Sequence, residues 1–246
     1  MKKRIPRIYI EDFLKINQVI SLSKSCTHYV KKVLRMEEKD KIEIFNNTNY
    51  IFFSEIKEIN SQTIKIIILK KQIKNLESPL SIHLGQVLSK NKKMNFSIQK
   101  SVELGVNRIT PLFSEYCNFQ KNLRCFSKKN IRWKNIVISA CQQCHRNNIP
   151  EIKQPEHIFT WCKKKYKNEI KIVFDPNATL TINELPKEIN FVRFLIGCEG
   201  GFSLLEMEKI IQYGFIPIKL GPRVLRTETA VIAAITALQI KFGDFS

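Results

Sequence analysis

Phe191-Val192-Arg193-Phe194-Leu195-Ile196 is a mostly apolar run, and Gly197-Cys198-Glu199-Gly200-Gly201 follows it directly. The run predicts a buried strand, and Ser203 with Glu206 three residues later is typical of the capping box that begins a helix. Adjacent glycines between a strand and a helix let the backbone approach a ligand closely. The stretch therefore predicts a ligand-binding loop, although a tight turn that binds nothing has the same local pattern.

A second stretch of this kind is Leu220-Gly221-Pro222-Arg223-Val224-Leu225-Arg226-Thr227-Glu228-Thr229-Ala230. Gly221-Pro222 is expected to end a strand, Thr227 to cap the closing helix, and Glu228 to lie in the first turn of that helix. Two arginines lie in the loop itself. Because the carboxyl ends of parallel strands meet at one edge of a sheet, both loops are expected to line one cleft.

Strands and helices alternate over the C-terminal two thirds of the chain. This alternation predicts a parallel sheet covered by helices on both faces, which is an α/β fold. Met94, Phe96, Ile98 and Val102 are expected on the buried face of the first of these helices, which ends at Gly105. The predicted strands are 80–85, 108–113, 170–174, 191–196 and 216–220, and the predicted helices are 91–104, 129–143, 203–213 and 228–242.

The first 73 residues have a different pattern, in which short strands predominate. Strands predicted at 42–45 and 50–53 flank the turn-forming Asn46-Asn47-Thr48-Asn49, and a further strand is predicted at 63–69. The polar stretch from Lys70 to Pro79 marks a boundary, so we predict two domains, 1–73 and 78–246. A helix predicted at 25–35 has an apolar face made of His28, Val30, Val33 and Leu34.

The chain is strongly basic, with a net charge of +19. A charge of this size attracts polyanions, and nucleic acid is the leading partner. A compositional drift toward Lys, Ile and Asn would produce the same charge without a binding role. Asn91-Lys92-Lys93 begins a helix predicted directly after a strand, which suits a phosphate group, although a solvated helix face is the alternative.

Cys141-Gln142-Gln143-Cys144-His145 matches the pattern of covalent haem attachment and contains the C-x-x-C of redox and zinc sites. No export signal begins the chain, and no second cysteine pair has zinc spacing. Both cysteines fit instead as small apolar residues at the end of an amphipathic helix. We therefore expect no haem and no metal, free thiols, no membrane span and a cytoplasmic location.

Further stretches accompany the two loops in a fixed order. They are Arg4-Ile5-Pro6-Arg7, Val33-Leu34-Arg35-Met36, His83–Val87, Ile98–Gly105, Thr110–Glu115 and Cys144–Asn147. In this order they strongly resemble the RsmE family, bacterial methyltransferases of 16S ribosomal RNA in the SPOUT superfamily. The resemblance covers nearly the whole chain, and Leu220–Ala230 is its most specific part.

The resemblance implies N3-methylation of uridine 1498 in 16S ribosomal RNA, with S-adenosylmethionine as the methyl donor. It implies a small N-terminal PUA-like β-barrel domain that binds RNA. It also implies a C-terminal SPOUT domain, an α/β domain with a parallel sheet and a deep trefoil knot. The implied partners are the 30S ribosomal subunit and a second copy of the chain, in a homodimer with the active site at or near the interface.

Site residues follow from the same resemblance. Arg226 is expected to stabilise the uracil anion or to guide its deprotonation, because a guanidinium holds developing negative charge. Glu199 is expected either to orient that arginine or to act as the base. RNA contacts are expected from Arg4, Arg7, Arg35, Lys92, Lys93 and Arg146. The expected cofactor-binding residues are Leu195, Gly197, Glu199, Gly200, Gly201, Leu220, Gly221, Val224, Leu225 and Arg226.

One position departs from the family pattern. Cys198 stands where the family usually has a proline, and its backbone N–H and freer φ predict a looser loop. Two other functions stay open at this point. One is a SPOUT methyltransferase that acts on transfer RNA, and the other is a non-catalytic RNA-binding protein that has kept the fold.

Overall fold

A computed structural model of the chain describes residues 5–60, 62–117 and 123–245. The chain forms two compact units, Met1–Glu77 with Cys141–Ile149 and Ser78–Ala140 with Pro150–Ser246. We call them the N-terminal and the C-terminal unit. The division predicted from sequence, 1–73 and 78–246, does not assign 141–149 to the first unit, because long-range contacts determine where that segment belongs.

The N-terminal unit contains a five-stranded sheet. Its strands are β1 (Arg7–Tyr9), β2 (Val19–Ser21), β3 (Lys41–Phe45), β4 (Tyr50–Ile59) and β5 (Ile64–Ile73). Their order is β1-β3-β4-β5-β2, with β1 parallel to β3 and the other neighbours antiparallel. β3 and β4 pair antiparallel across the turn between them, so the predicted hairpin is confirmed. Asn47 in this turn has a φ of 60°, which asparagine tolerates better than most residues.

Residues 24–33 form a short helix that changes its winding. α1 (Lys24–His28) is α-helical, and Tyr29–Val33 continues it as a π-helix. The wider turn changes which side chains face inward, since it adds a residue to each turn. Val30 is buried as expected, but Val33 is 59% exposed, so its predicted place on the apolar face is wrong.

A parallel sheet forms the centre of the C-terminal unit. Its described strands are β6 (Ser81–Val87), β7 (Arg108–Phe113), β8 (Glu151–Ile152), β9 (Glu156–His157), β10 (Ile170–Phe174), β11 (Phe191–Ile196) and β12 (Ile216–Ile218). The order is β12-β10-β11-β6-β7-β8, with β9 also paired to β7. Every one of these pairings is parallel, as the alternating pattern predicted.

The helices after residue 78 are α2 (Asn91–Glu103), α3 (Leu123–Cys144), α4 (Ile158–Lys163), α5 (Leu204–Gln212) and α6 (Thr227–Phe242). In α2, Met94, Ile98 and Val102 are buried as expected, whereas Phe96 is 41% exposed. The predicted capping box of Ser203 and Glu206 is present at the start of α5. Among the described residues, no helix combines the length and the apolar character needed to cross a membrane.

Candidate functional site

A cleft of about 530 Å³ lies at the carboxyl edge of the parallel sheet. Neighbouring strands β12, β10 and β11 all end there, so the loops that follow them meet at one place. The first residues of α6 and Lys93 of α2 complete the wall. The lining includes 175–177 after β10, 196–204 after β11, 220–221 and 223–227 after β12, together with Phe174, Met207, Ile218 and Ala230.

The loop after β11 folds back on itself as a tight turn. The backbone N–H of Gly201 donates to the carbonyl oxygen of Cys198 across 3.0 Å, and Gly201 has a φ of +70°. A Cβ on Gly197 would lie 3.1 Å from the Gly201 Cα, and one on Gly200 would lie 3.1 Å from the Cβ of Tyr116. The glycines are therefore needed for different reasons, positive φ at 201 and close packing at 197 and 200.

Thr227 connects this loop to the start of α6. Its Oγ1 donates to the carbonyl oxygen of Gly197 across 2.7 Å and accepts a hydrogen bond from Nε2 of Gln86 at 3.2 Å. Thr227 is the first residue of α6, and Arg226 is the N-cap, without a side-chain capping bond. The expectation that Thr227 caps α6 is wrong, because its hydroxyl bonds to the neighbouring loop instead. Glu228 lies in the first turn as predicted.

Glu199 is held by a lysine from a different element. Nζ of Lys93 lies 2.9 Å from Oε1 of Glu199 and 4.0 Å from Oε2 of Glu228. Burial alone would raise the pKa of the Glu199 carboxyl. The hydrogen bond from Lys93, the backbone N–H of Glu199 itself and the positive charge of Lys93 outweigh this effect, so the pKa is lowered. Glu199 is therefore a carboxylate at neutral pH, and it pairs with a lysine rather than with Arg226.

Arg226 lies at the mouth of the cleft and is exposed. Within the described ranges it forms no ion pair, so its guanidinium is available to an anion that enters the cleft. Arg223 lines the same wall and is also exposed. The loop after β12 thus contributes two exposed guanidinium groups to the cleft, and the loop after β11 contributes the Glu199 carboxylate.

Cys198 is buried beneath the loop. Its Sγ lies 3.5 Å from the carbonyl oxygen of Tyr116, and burial raises the pKa of its thiol. The side chain thus fills space under the turn as a neutral thiol. Cys141 of the Cys141–His145 motif is also a neutral, buried thiol, since burial raises its pKa to about 12. No group of three metal-binding side chains occurs among the described residues.

The cleft brings together nearly all the expected cofactor-binding residues. Leu195 is the exception, because it is fully buried in β11 and its neighbour Ile196 lines the cleft instead. Sequence reasoning missed Asp175-Pro176-Asn177. These residues directly follow the predicted strand 170–174, so the rule that ligands bind beyond the carboxyl ends of parallel strands was the signal that could have found them.

The expected RNA contacts separate into two groups. Lys92 and Arg35 are exposed, and Lys93 is half-buried at the cleft. Arg7 is 6% exposed, with Nε 2.7 Å from Oε1 of Glu43 and Nη1 2.8 Å from the carbonyl oxygen of Cys141. This corrects the expectation for Arg7, since its guanidinium is buried and occupied by internal partners.

Arg146 requires the same correction. It is 4% exposed, and its guanidinium bonds both carboxylate oxygens of Glu77 within the N-terminal unit. A buried bidentate pair of this kind holds its segment in place and presents no charge to a nucleic acid. Arg4 lies outside the described residues.

Comparison with known proteins gives matches over the full chain. The family model of an RNA methyltransferase domain matches residues 76–239, and that of an RNA methyltransferase PUA domain matches residues 27–69. A Buchnera aphidicola subsp. Schizaphis graminum protein named ribosomal RNA small subunit methyltransferase E is 82% identical over 100% of both chains. A protein of the same name from Buchnera aphidicola subsp. Acyrthosiphon pisum is 58% identical over 99% of this chain and 96% of its own.

Two solved structures resemble the whole chain. A Legionella pneumophila protein in complex with the cofactor SAM has a TM-score of 0.95 at 39% identity, and 99% of this chain and 100% of that chain are covered. A ribosomal RNA small subunit methyltransferase E from Neisseria gonorrhoeae, bound to S-adenosyl methionine, has a TM-score of 0.93 at 32% identity and the same coverage. The expected α/β methyltransferase domain and PUA domain are confirmed, while the trefoil knot stays a prediction.

Proposed function

The chain belongs to the ribosomal RNA small subunit methyltransferase E family, and from this premise we propose that it methylates N3 of uridine 1498 in 16S ribosomal RNA. S-adenosylmethionine is the methyl donor. The observation that carries the proposal is the cleft at the carboxyl edge of the sheet, because two glycine-containing loops and two exposed arginines meet there. A binding module without catalytic activity would not need both parts.

The residues of the cleft fit the methyl donor. Its volume of about 530 Å³ is within the usual range of small-molecule sites. Ile196, Ile218 and Leu225 give it an apolar floor for an adenine ring. Apart from the chain neighbours, no heavy atom of the described residues comes within 4 Å of where a Cβ would stand on Gly201 or Gly221, so both positions leave space beside the backbone for a ligand.

S-adenosylmethionine supplies, when bound, a methyl group on a positively charged sulfur. The protein has to hold uracil N3 in line with that methyl group, accept the N3 proton and stabilise the negative charge that spreads to the ring oxygens. Arg226 is exposed at the cleft and has no internal ion pair within the described ranges, so we assign it the stabilising role. A guanidinium keeps its charge at any working pH.

Glu199 has two candidate roles, as the base or as a residue that holds positive charge in place. Lys93 lowers the pKa of its carboxyl, and a carboxylate with a lowered pKa is a weaker proton acceptor. The ion pair at 2.9 Å therefore favours the second role. In this role Glu199 fixes the glycine loop to the first turn of α2 and keeps Lys93 directed at the cleft.

Three further parts of the proposal concern partners. The PUA domain, the exposed Arg35 and Lys92 and the half-buried Lys93 contact the RNA of the 30S subunit. A second copy of the chain covers the cleft mouth in a homodimer, which is supported by the exposure of Leu204 (86%) and Val224 (81%) on its rim. No metal ion or haem takes part, and the protein acts in the cytoplasm.

Two measurements test the function together. Titration calorimetry with S-adenosylmethionine should show binding at one site per chain. Incubation of 30S subunits from a strain that lacks this methyl group, with labelled S-adenosylmethionine, should place the label at uridine 1498. Binding without transfer to any RNA would make the chain a non-catalytic protein, and label found in transfer RNA would reassign the substrate.

A further inference from the structure

A second concavity of about 720 Å³ lies between α2 and α3 in the C-terminal unit. We call it the α2–α3 groove. Lys92, Lys128 and Arg132 line it and are exposed, and the described lining residues include no carboxylate. The 22 residues of α3 contain neither Asp nor Glu, so nothing on that helix offsets its positive charge.

The other helix contributes little negative charge to this region. Glu103 is the only acidic residue of α2, and both its oxygens bond to Nζ of Lys100, at 2.8 and 2.9 Å. Neither residue lines the groove. The cations of the groove therefore have no compensating partner on the two helices that form it, which is the arrangement that attracts a polyanion.

The groove also presents apolar and amide groups between its cations. Phe96 is 41% exposed and Ile131 is 63% exposed, and the side-chain amides of Gln99 and Asn135 lie beside them. Cations interleaved with an exposed aromatic ring fit single-stranded nucleic acid, because phosphates pair with the cations and an unstacked base covers the ring. An acidic protein segment would use the cations but would leave the ring without a flat partner.

The position of the groove relates it to the cleft. Lys92 lines the groove and Lys93 lines the cleft, and the two are consecutive residues at the start of α2. Because consecutive residues of a helix project in different directions, the groove and the cleft lie on different sides of the first turn of α2 and adjoin there, so an RNA chain held in the groove can continue into the cleft around that turn. We propose that the α2–α3 groove binds a single-stranded segment of the RNA substrate that flanks the methylated base, an inference that rests on the proposed function.

The test is direct binding of a fluorescent single-stranded RNA oligonucleotide with the sequence around uridine 1498, measured by anisotropy at several salt concentrations. Arg132→Glu should weaken binding on the order of tenfold and reduce the salt slope by about 0.7 for each phosphate that the groove no longer neutralises. Phe96→Ala should weaken binding about tenfold with the salt slope unchanged, because stacking carries no charge. S-adenosylmethionine binding should be the same in all variants.

Lys134→Glu is the matched control. Lys134 is exposed on the same helix and carries the same charge, but it does not line the groove. If Arg132→Glu and Lys134→Glu weaken RNA binding equally, the effect is one of net charge and the groove is not a site. A change of sedimentation from dimer to monomer in Phe96→Ala would also overturn the proposal, since the groove would then be a self-association surface.

The oligonucleotide assay needs no catalysis, so it also separates the two claims. If the wild-type chain binds the oligonucleotide through the groove but transfers no methyl group, the inference holds and the proposed function is wrong. If the chain methylates 30S subunits while both groove variants, Arg132→Glu and Phe96→Ala, bind RNA like wild type, the inference fails and the proposed function stands.

Discussion

The Oγ1 hydroxyl of Thr227 donates a hydrogen bond to the carbonyl oxygen of Gly197 across 2.7 Å. Thr227 is 5% exposed and Gln86, which donates to the same hydroxyl, is fully buried. The hydroxyl thus joins the ends of three elements, β6, β11 and α6, at the back of the cofactor cleft. Buried polar groups of this kind are costly to leave without partners.

Thr227→Val should therefore loosen the glycine loop. The substitution keeps the shape of the side chain but removes the donor to Gly197 and the acceptor for Gln86. We expect a loss of about 1–3 kcal/mol in the free energy of unfolding and roughly tenfold weaker S-adenosylmethionine binding. Urea melts and calorimetry measure these, with Thr229→Val as the control because Thr229 is exposed on the same helix. Equal effects in both variants would contradict the role of the bond.

Gly197→Ala should affect the cofactor more than the fold. The added Cβ would lie 3.1 Å from the Cα and 3.2 Å from the carbonyl carbon of Gly201, so the turn has to open. We expect binding of S-adenosylmethionine to weaken at least tenfold. Gly214→Ala is the control, because Gly214 has a φ of +85° and open space around it, away from the cleft. It should cost about 1 kcal/mol of stability without changing cofactor affinity.

The strands and helices of the C-terminal unit were largely predictable, because each one is a local pattern. The strands at 108–113, 170–174 and 191–196 were predicted with the bounds that the structure has. The capping box of Ser203 and Glu206 fixed the start of α5 for the same reason. Both glycine loops then follow from the rule that places ligands beyond the carboxyl ends of parallel strands.

The features that the sequence did not predict depend on contacts between residues that are far apart in the chain. Threonine is a residue type that often caps helices, but the Thr227 hydroxyl donates its hydrogen bond to the carbonyl oxygen of Gly197, thirty residues earlier. Arg7 was expected at RNA, but Glu43 and the 141–149 segment enclose it. In the N-terminal unit, the π-helix at Tyr29–Val33 changed the face on which Val33 lies. None of these outcomes leaves a signal in a local window of sequence.

Lys93→Met should change how cofactor binding depends on pH. Lys93 lowers the pKa of Glu199, so the carboxylate of the wild-type chain is lost only when the pH falls below the ordinary value of 4.5. Without the lysine the pKa rises, and the acid limb of S-adenosylmethionine affinity should move to higher pH. Affinity is measured from pH 7 to pH 4, with circular dichroism to confirm folding.

Lys92→Met is the matched control for that experiment, because Lys92 is the preceding residue and lies outside the cofactor cleft. Its acid limb should coincide with that of the wild-type chain. An acid limb that stays in place in Lys93→Met would show that Glu199 does not depend on Lys93 for its charge.

His83 predicts a pH dependence of stability. It is 2% exposed, and burial with the nearby charges of Arg108 and Arg193 lowers its pKa to about 2. An unfolded histidine has a pKa of about 6.5, so between these values only the unfolded chain takes up the proton. This favours unfolding as the pH falls below about 6.5, by up to about 1.4 kcal/mol per pH unit.

Replacing His83 should flatten this dependence. Nε2 of His83 accepts from Nε1 of Trp161 at 3.3 Å, and His83→Gln keeps an acceptor for that group without the titrating ring. Urea melts at pH 6.5, 5.5 and 4.5 should show a shallower loss of stability in this variant. The exposed His28 gives the control, since His28→Gln should keep the wild-type slope.

Arg226→Ala should remove catalysis while the cofactor still binds. The backbone of the loop after β12 stays in place, so S-adenosylmethionine affinity should change only a few-fold. The positive charge for the uracil anion is lost, and removal of one such donor typically lowers kcat about 100- to 1000-fold. Single-turnover methylation of 30S subunits measures this. Arg226→Lys should recover part of the rate, because it restores the charge but not the planar fork.

Arg223→Ala is the comparison that makes the assignment specific. Arg223 is three residues earlier, lines the same cleft and is also exposed, so its loss removes the same charge from the same loop. If general attraction of RNA were the whole contribution of these arginines, both variants would raise KM alike and leave kcat alone. The assigned role of Arg226 instead requires a fall in kcat that Arg223→Ala does not share, since only a group at the reacting base stabilises charge that exists in the transition state alone.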